Sequence, residues 1–253
     1  MLRRLFDAVG RSQNVSRNDR KRRKSAPAFR PQTGLESLEQ RVMLSVSPVW
    51  AVDYTLEESQ YYRPNQVYTT TMYPDKDTVL TGGGFIDSLT LGSGLDAHTL
   101  TTTKDRDGFV AAYTNEGQYL YSVQLTTSAP GIYSSSVEVL NAAIDDDNNL
   151  YIIGWFSGTL DLTAYGNNDI FSGNDQMFIL KLNAQQELQW AHQFNARYMD
   201  AAFTGSGDDF QIHVVGFYEE QIDFDTDGAG PSRVLTDISY GGFYVAFDHN
   251  GVD

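Results

Sequence analysis

The sequence contains no cysteine, which removes disulfides, thiolate nucleophiles and cysteine-ligated zinc together. It has only four histidines, His98, His192, His213 and His249, and none stands in a His-Glu-x-x-His or similar spacing, so each reads as a strand or loop residue. Long hydrophobic runs are missing too. The best, Val42 to Val52, is 11 residues long and broken by Ser45, Ser47 and Pro48, well short of the roughly 20 that a spanning helix needs, so no transmembrane helix is expected. There is no Gly-x-Ser-x-Gly nucleophile elbow, and Gly82-Gly83-Gly84 lacks the lysine and following helix of a phosphate loop. No segment sustains a 3.6-residue apolar period, which excludes α-solenoids.

Positive charge is scarce wherever the chain is apolar. Residues 1–48 carry 11 Lys+Arg against 4 Asp+Glu, leaving 7 against 29 for the remainder, a net charge of -22 on the body. Such a body repels phosphate backbones, so no nucleic-acid partner is expected, and it draws cations or basic partners instead. What is present is a globular composition, 41% hydrophobic and 13% aromatic, enough to bury a real core. Absence of disulfides leaves either side of a membrane open as the compartment.

The first 48 residues and the remainder divide the chain into a basic leader and a body, residues 49–253. Around Arg20-Lys21-Arg22-Arg23-Lys24 the leader has no apolar run to offset its charges, which predicts disorder. After it, Leu38-Glu39-Gln40-Arg41-Val42-Met43-Leu44-Ser45 resembles the LEPR-XLL motif found behind basic leaders in large exported bacterial proteins, with Gln40 where that family has proline and Met43 where leucine is usual. The resemblance implies export, to the cell surface or the exterior.

The body repeats. Gly83-Gly84-Phe85-Ile86-Asp87-Ser88-Leu89-Thr90-Leu91 aligns with Gly154-Trp155-Phe156-Ser157-Gly158-Thr159-Leu160-Asp161-Leu162 and with Gly216-Phe217-Tyr218-Glu219-Glu220-Gln221-Ile222-Asp223-Phe224. A short apolar strand precedes each, Val79-Leu80, Leu150 to Ile153 and Ile212 to Val215, so each copy reads as a hairpin. A second unit also recurs: Phe109 to Tyr113, Phe178 to Leu182 and Phe243 to Phe247, followed by turns at Asn115-Glu116-Gly117, Asn183-Ala184-Gln185 and Asn250-Gly251. Strands Tyr119 to Leu125 and Leu188 to Phe194 then follow in the first two copies. Two hairpins per period make four strands, and four-stranded antiparallel units in tandem are propeller blades. Gly-x-Phe-x-Gly-Thr-x-Asp-Leu at Gly154 to Leu162, with the Phe-rich and Trp-containing strands around it, resembles the SBBP-type β-propeller repeat of exported bacterial proteins.

The expectation is therefore an all-β protein of two and a half to three propeller-type blades, entered at the third and fourth strands of one blade and left within the first hairpin of another. Closed propellers take about four to eight blades. A fragment of a longer propeller is the preferred reading, with assembly of several chains and an open arc that self-associates through its blade edges as the alternatives.

Candidate sites are few. Asp223, Asp225 and Asp227 have the Asp-x-Asp-x-Asp-Gly spacing that can gather carboxylates around Ca²⁺, although Val234 stands at the twelfth position, where an EF-hand has glutamate. Asp145-Asp146-Asp147-Asn148-Asn149 concentrates oxygens, but Asp and Asn are also ordinary turn residues. Trp155, Trp190 and the 15 tyrosines offer stacking surfaces for sugars or proteins, or packing between blades. The functional expectation is a non-catalytic exported or cell-surface scaffold with no required cofactor, contacting protein or glycan. A fragment of a polysaccharide-acting enzyme and a calcium-dependent adhesive module are the alternatives.

Overall fold

A computed structural model of the protein describes residues 65–73, 76–102, 106–128, 135–166, 170–224 and 233–252. The basic leader, the LEPR-XLL-like motif, Asp225 and Asp227 lie outside them. In chain order the strands are β1 (Gln66–Tyr73), β2 (Thr78–Phe85), β3 (Ser88–Leu91), β4 (His98–Thr101), β5 (Asp107–Tyr113), β6 (Tyr119–Leu125) and β7 (Thr127–Ser128). They continue with β8 (Ser136–Ile144), β9 (Leu150–Asp161), β10 (Ile170–Leu182), β11 (Leu188–Phe194), β12 (Ala196–Thr204), β13 (Gln211–Asp223) and β14 (Val234–Asp248). Every ladder between them is antiparallel.

Three sheets follow one another along the chain. The first is β1-β2-β5-β6, with β3-β4 as a separate hairpin; the second is β8-β9-β10-β11, with β7 added beside the far end of β9; the third is β12-β13-β14. None closes on itself. Fourth strands β6 and β11 have no counterpart paired with β14 among the described residues.

The strand assignment differs from the hairpin reading of the sequence. Leu150 to Ile153 and the motif after it form one unbroken strand, β9, as Ile212 to Val215 and its motif form β13. What pairs with each is an upstream strand that the sequence reading did not assign: β1, β8 and β12. The chain therefore enters the first sheet at its first strand, not its third.

Three backbone features recur in register and explain the repeat. The upstream strand is irregular at Val67/Thr69, Val139/Asn141 and Arg197/Asp200, opposite Gly83, Gly154 and Gly216. A Cβ on Gly83 would stand 1.8 Å from the Gln66 carbonyl oxygen and one on Gly154 2.2 Å from that of Glu138, so the bulged strand lies where only glycine leaves room. Four residues on, Asp87, Gly158 and Glu220 all have left-handed backbone, φ 61°, 104° and 58°. The third repeat keeps the bend despite lacking the glycine. Finally, Thr114, Asn183 and Asp248 each close the turn after the third strand with one side-chain oxygen that accepts two backbone N–H groups, from Glu116 and Gln118, from Gln185 and Glu187, and from Asn250 and Val252.

Face-to-face packing joins the sheets. One core holds Leu80, Val110 and Ala112 of the first sheet against Val137, Val139, Ile152, Phe178 and Leu180 of the second; another holds Tyr151, Ile153 and Ile179 of the second against Ile212, Val214, Phe243 and Phe247 of the third. Central strands β2 and β5 are buried along both faces, so Gly and Ala stand where bulk would collide: a Cβ on Gly82 would lie 3.0 Å from Val139 Cγ1.

Candidate functional site

The three upstream strands converge. Thr69 Oγ1 donates to Asn141 Oδ1 at 3.3 Å, and Asn141 Nδ2 donates to the Ala201 carbonyl at 2.7 Å, so one β8 side chain ties β1 to β12. On either side of this tie lies a cleft. Around the ends of the three strands it holds about 440 Å³ between Thr71, Tyr73, Lys76, Asp146, Phe203 and Phe210. Around their beginnings it holds about 530 Å³, and that cleft has the more informative lining.

Gln66, Glu138 and Arg197 occupy the same register on β1, β8 and β12, each opposite a repeat position on the next strand: Gly84, Trp155 and Phe217. All three line the cleft, with Tyr68, Trp155 and Asp175. An amide, a carboxylate and a guanidinium thus meet beside two aromatic rings. Below them Arg106 and Glu138 form an ion pair, Nε to Oε1 at 2.6 Å, with side chains 4% and 3% exposed. Trp155 Nε1 donates to Glu138 Oε2 at 3.1 Å, and the Arg106 guanidinium also donates to the Gly84 carbonyl at 3.1 Å and to Gln66 Oε1 at 3.3 Å. The Tyr68 hydroxyl donates to the same Gln66 oxygen. Asp175, at φ 52°, is fixed by Ser157: its N–H donates to Ser157 Oγ at 2.9 Å, which donates back to Asp175 Oδ1 at 3.2 Å. Arg197 pairs with Glu219 at 3.6 Å on the rim.

This floor is built to hold shape. Both oxygens of Glu138 are committed, which leaves a general acid or base role unsupported there. Stacking on Tyr68 and Trp155 and hydrogen bonding to Gln66, Asp175 and Arg197 are what the cleft can supply.

The residues singled out from sequence are placed as follows. Asp223 ends β13 opposite Val234, and Asp225 and Asp227 are outside the described residues. Among the described residues no three His, Asp or Glu side chains gather at one point. Asp145 turns its carboxylate inward: it accepts from the N–H of Asp147 and Asn149 at 3.0 and 2.9 Å, from Asn149 Nδ2 at 2.7 Å and from the Tyr151 hydroxyl at 2.8 Å, with Lys181 Nζ at 3.9 Å. Burial pushes this carboxyl up, but those hydrogen bonds and the Lys181 charge outweigh it and hold it below the ordinary range. It is a structural turn. Trp190 packs between the second and third sheets and donates to the His249 carbonyl at 3.2 Å. His192 Nε2 meets the Gly251 carbonyl at 2.8 Å, and His213 lies between the Thr204 and Tyr244 hydroxyls, 2.7 Å from each.

Of the cleft residues, Trp155 stood out in the sequence by position, and Tyr68 only as one of the 15 tyrosines. The others carry no motif; their one signal is a shared register on strands that must first be recognised as strands. Fold and site together define a class, an all-β protein of tandem antiparallel sheets with no helix long and apolar enough to cross a membrane among the described residues. Compared with known proteins, the chain matches no family model and no curated protein.

Proposed function

We propose that the chain is a non-catalytic β-propeller-type scaffold of the exported or cell-surface kind, and that it binds a glycan in the cleft where its three first strands begin. The observation that carries this reading is the set Gln66, Glu138 and Arg197 at one register beside Tyr68 and Trp155. Apolar ring faces next to amide, guanidinium and carboxylate groups suit the alternating C–H and O–H surface of a sugar ring. The propeller reading is supported by three successive antiparallel sheets packed face to face, with their first strands tied together through Asn141. Export rests on the LEPR-XLL resemblance, and a protein ligand at the exposed turns is the alternative within the same class.

Titration calorimetry against neutral and acidic oligosaccharides tests it. Tyr68→Ala and Arg197→Ala should each weaken binding by about tenfold, equivalent to about 1.4 kcal/mol, without turnover of the sugar. Hydrolysis of any polysaccharide, lost on replacing one carboxylate, would instead establish the enzyme reading.

A further inference from the structure

Repeat register makes an ion pair at one junction between sheets and leaves its counterpart unmade at the next. Asp107, Gln176 and Gly241 stand opposite the equivalent repeat residues Phe85, Phe156 and Tyr218, so the residues just before them, Arg106, Asp175 and Tyr240, also correspond. Glu138 and Arg197 correspond in the same way on the first strands β8 and β12. At the first junction Arg106 meets Glu138 of the following sheet, 2.6 Å away and almost wholly buried. The second junction carries the same two positions with their charges exchanged, Asp175 and then Arg197 of the following sheet, and both line the cleft. There the pair is not made. Arg197 is drawn to Glu219 at 3.6 Å, whose carboxylate also receives the Tyr240 hydroxyl, and among the described residues no cation lies within ion-pairing distance of Asp175.

We propose that the cleft takes an amino sugar, whose ammonium group sits on Asp175 where the repeat has left out the cation. This rests on the glycan reading above and names the class of sugar. Glu138 is neutralised by Arg106 and Arg197 by Glu219, so Asp175 is the uncompensated charge of the lining. Its backbone is held at φ 52°, and Ser157 bonds its N–H and its Oδ1, which leaves Oδ2 to accept from a ligand. The rings of Tyr68 and Trp155 in the same lining attract an ammonium through their faces, as they do not attract a hydroxyl. A net charge of -22 on residues 49–253 works in the same direction, drawing cationic sugars to the surface and repelling uronic acids.

Titration calorimetry of the full chain with a glucosamine oligomer and with its N-acetylated form of equal length tests this, in a mildly acidic, low-salt buffer that keeps the amines charged. The amino oligomer should bind at least about tenfold more tightly, an advantage that shrinks as salt is added. Asp175→Asn keeps an oxygen for Ser157 and a residue that tolerates left-handed backbone, and should bring the two affinities together. Asp146→Asn, the same loss of charge in the cleft at the other end of the strands, should leave the preference intact. Equal binding of both oligomers, a preference that survives Asp175→Asn or is lost equally with Asp146→Asn, or tighter binding of a uronic acid oligomer would overturn the amino-sugar assignment and leave the glycan reading in place. Binding of no oligomer at all would overturn both.

Discussion

At the residue scale, Glu220 and Asp107 each bear a cost that can be measured. Glu220 holds φ 58° at the bend where the second repeat has glycine, and left-handed backbone is unfavourable for a side chain with no local hydrogen bond to offer. Glu220→Gly should therefore stabilise the protein by about 0.5–1 kcal/mol in urea unfolding. Gly158→Ala should do the reverse, costing more than about 1 kcal/mol, because φ is 104° and the new Cβ would stand 2.8 Å from the Ser128 carbonyl oxygen. Asp107 is 1% exposed and accepts from Gln124 Nε2 at 2.7 Å. Desolvation raises its carboxyl to about 6, against the lowering effect of that hydrogen bond. A carboxyl raised by folding binds its proton more tightly in the native state, so the contribution of Asp107 to stability is greatest at low pH and falls as pH climbs from about 4 to about 6. Asp107→Asn keeps an acceptor for Gln124 and should remove that slope, raising stability at pH 7 by about 1–2 kcal/mol after allowance for solvent screening.

At the scale of elements, the Asp145 turn shows what could and could not be read in advance. Its composition announced a turn, and the strands on either side announced themselves by β-branched and aromatic residues. That its carboxylate points inward depends on Tyr151 and Lys181, one of them across the sheet on β10, and no local pattern encodes a contact at that separation. Asp145→Ala should cost about 3 kcal/mol, since it strands two N–H groups and a buried hydroxyl and leaves Lys181 without its carboxylate. Strands β1, β8 and β12 escaped the sequence reading for a related reason. Their sequences QVYTTTMY, SVEVLNAAI and ARYMDAAFT share no motif, because a strand at the meeting point of three sheets faces different neighbours in each copy. The motif survived on β9 and β13, where bulge and bend demand particular backbones. Gln66, Tyr68, Glu138 and Arg197 lie on the strands that the repeat does not mark, and so the all-β repeat was legible while most of the site was not.

For the molecule as a whole, the cores between sheets do most of the joining, and the Arg106–Glu138 pair is their one fully buried ionic link among the described residues. Glu138→Ala should cost about 3–5 kcal/mol, because Arg106 would stay buried without its counter-charge; replacing both residues with apolar ones of similar size should cost much less. A double-mutant cycle read by thermal unfolding checks this. Asn141 carries a different consequence. Within each sheet the strands pair with neighbours close in sequence, whereas the Asn141 bonds to Thr69 and Ala201 span 72 and 60 residues. Such links close only after the sheets on both sides exist, which places them late on the folding route. Stopped-flow kinetics of Asn141→Ala should accordingly show nearly native refolding and faster unfolding. Asn141 would then act as a latch on the assembled sheets, setting how long they stay together and leaving the time they take to form almost untouched.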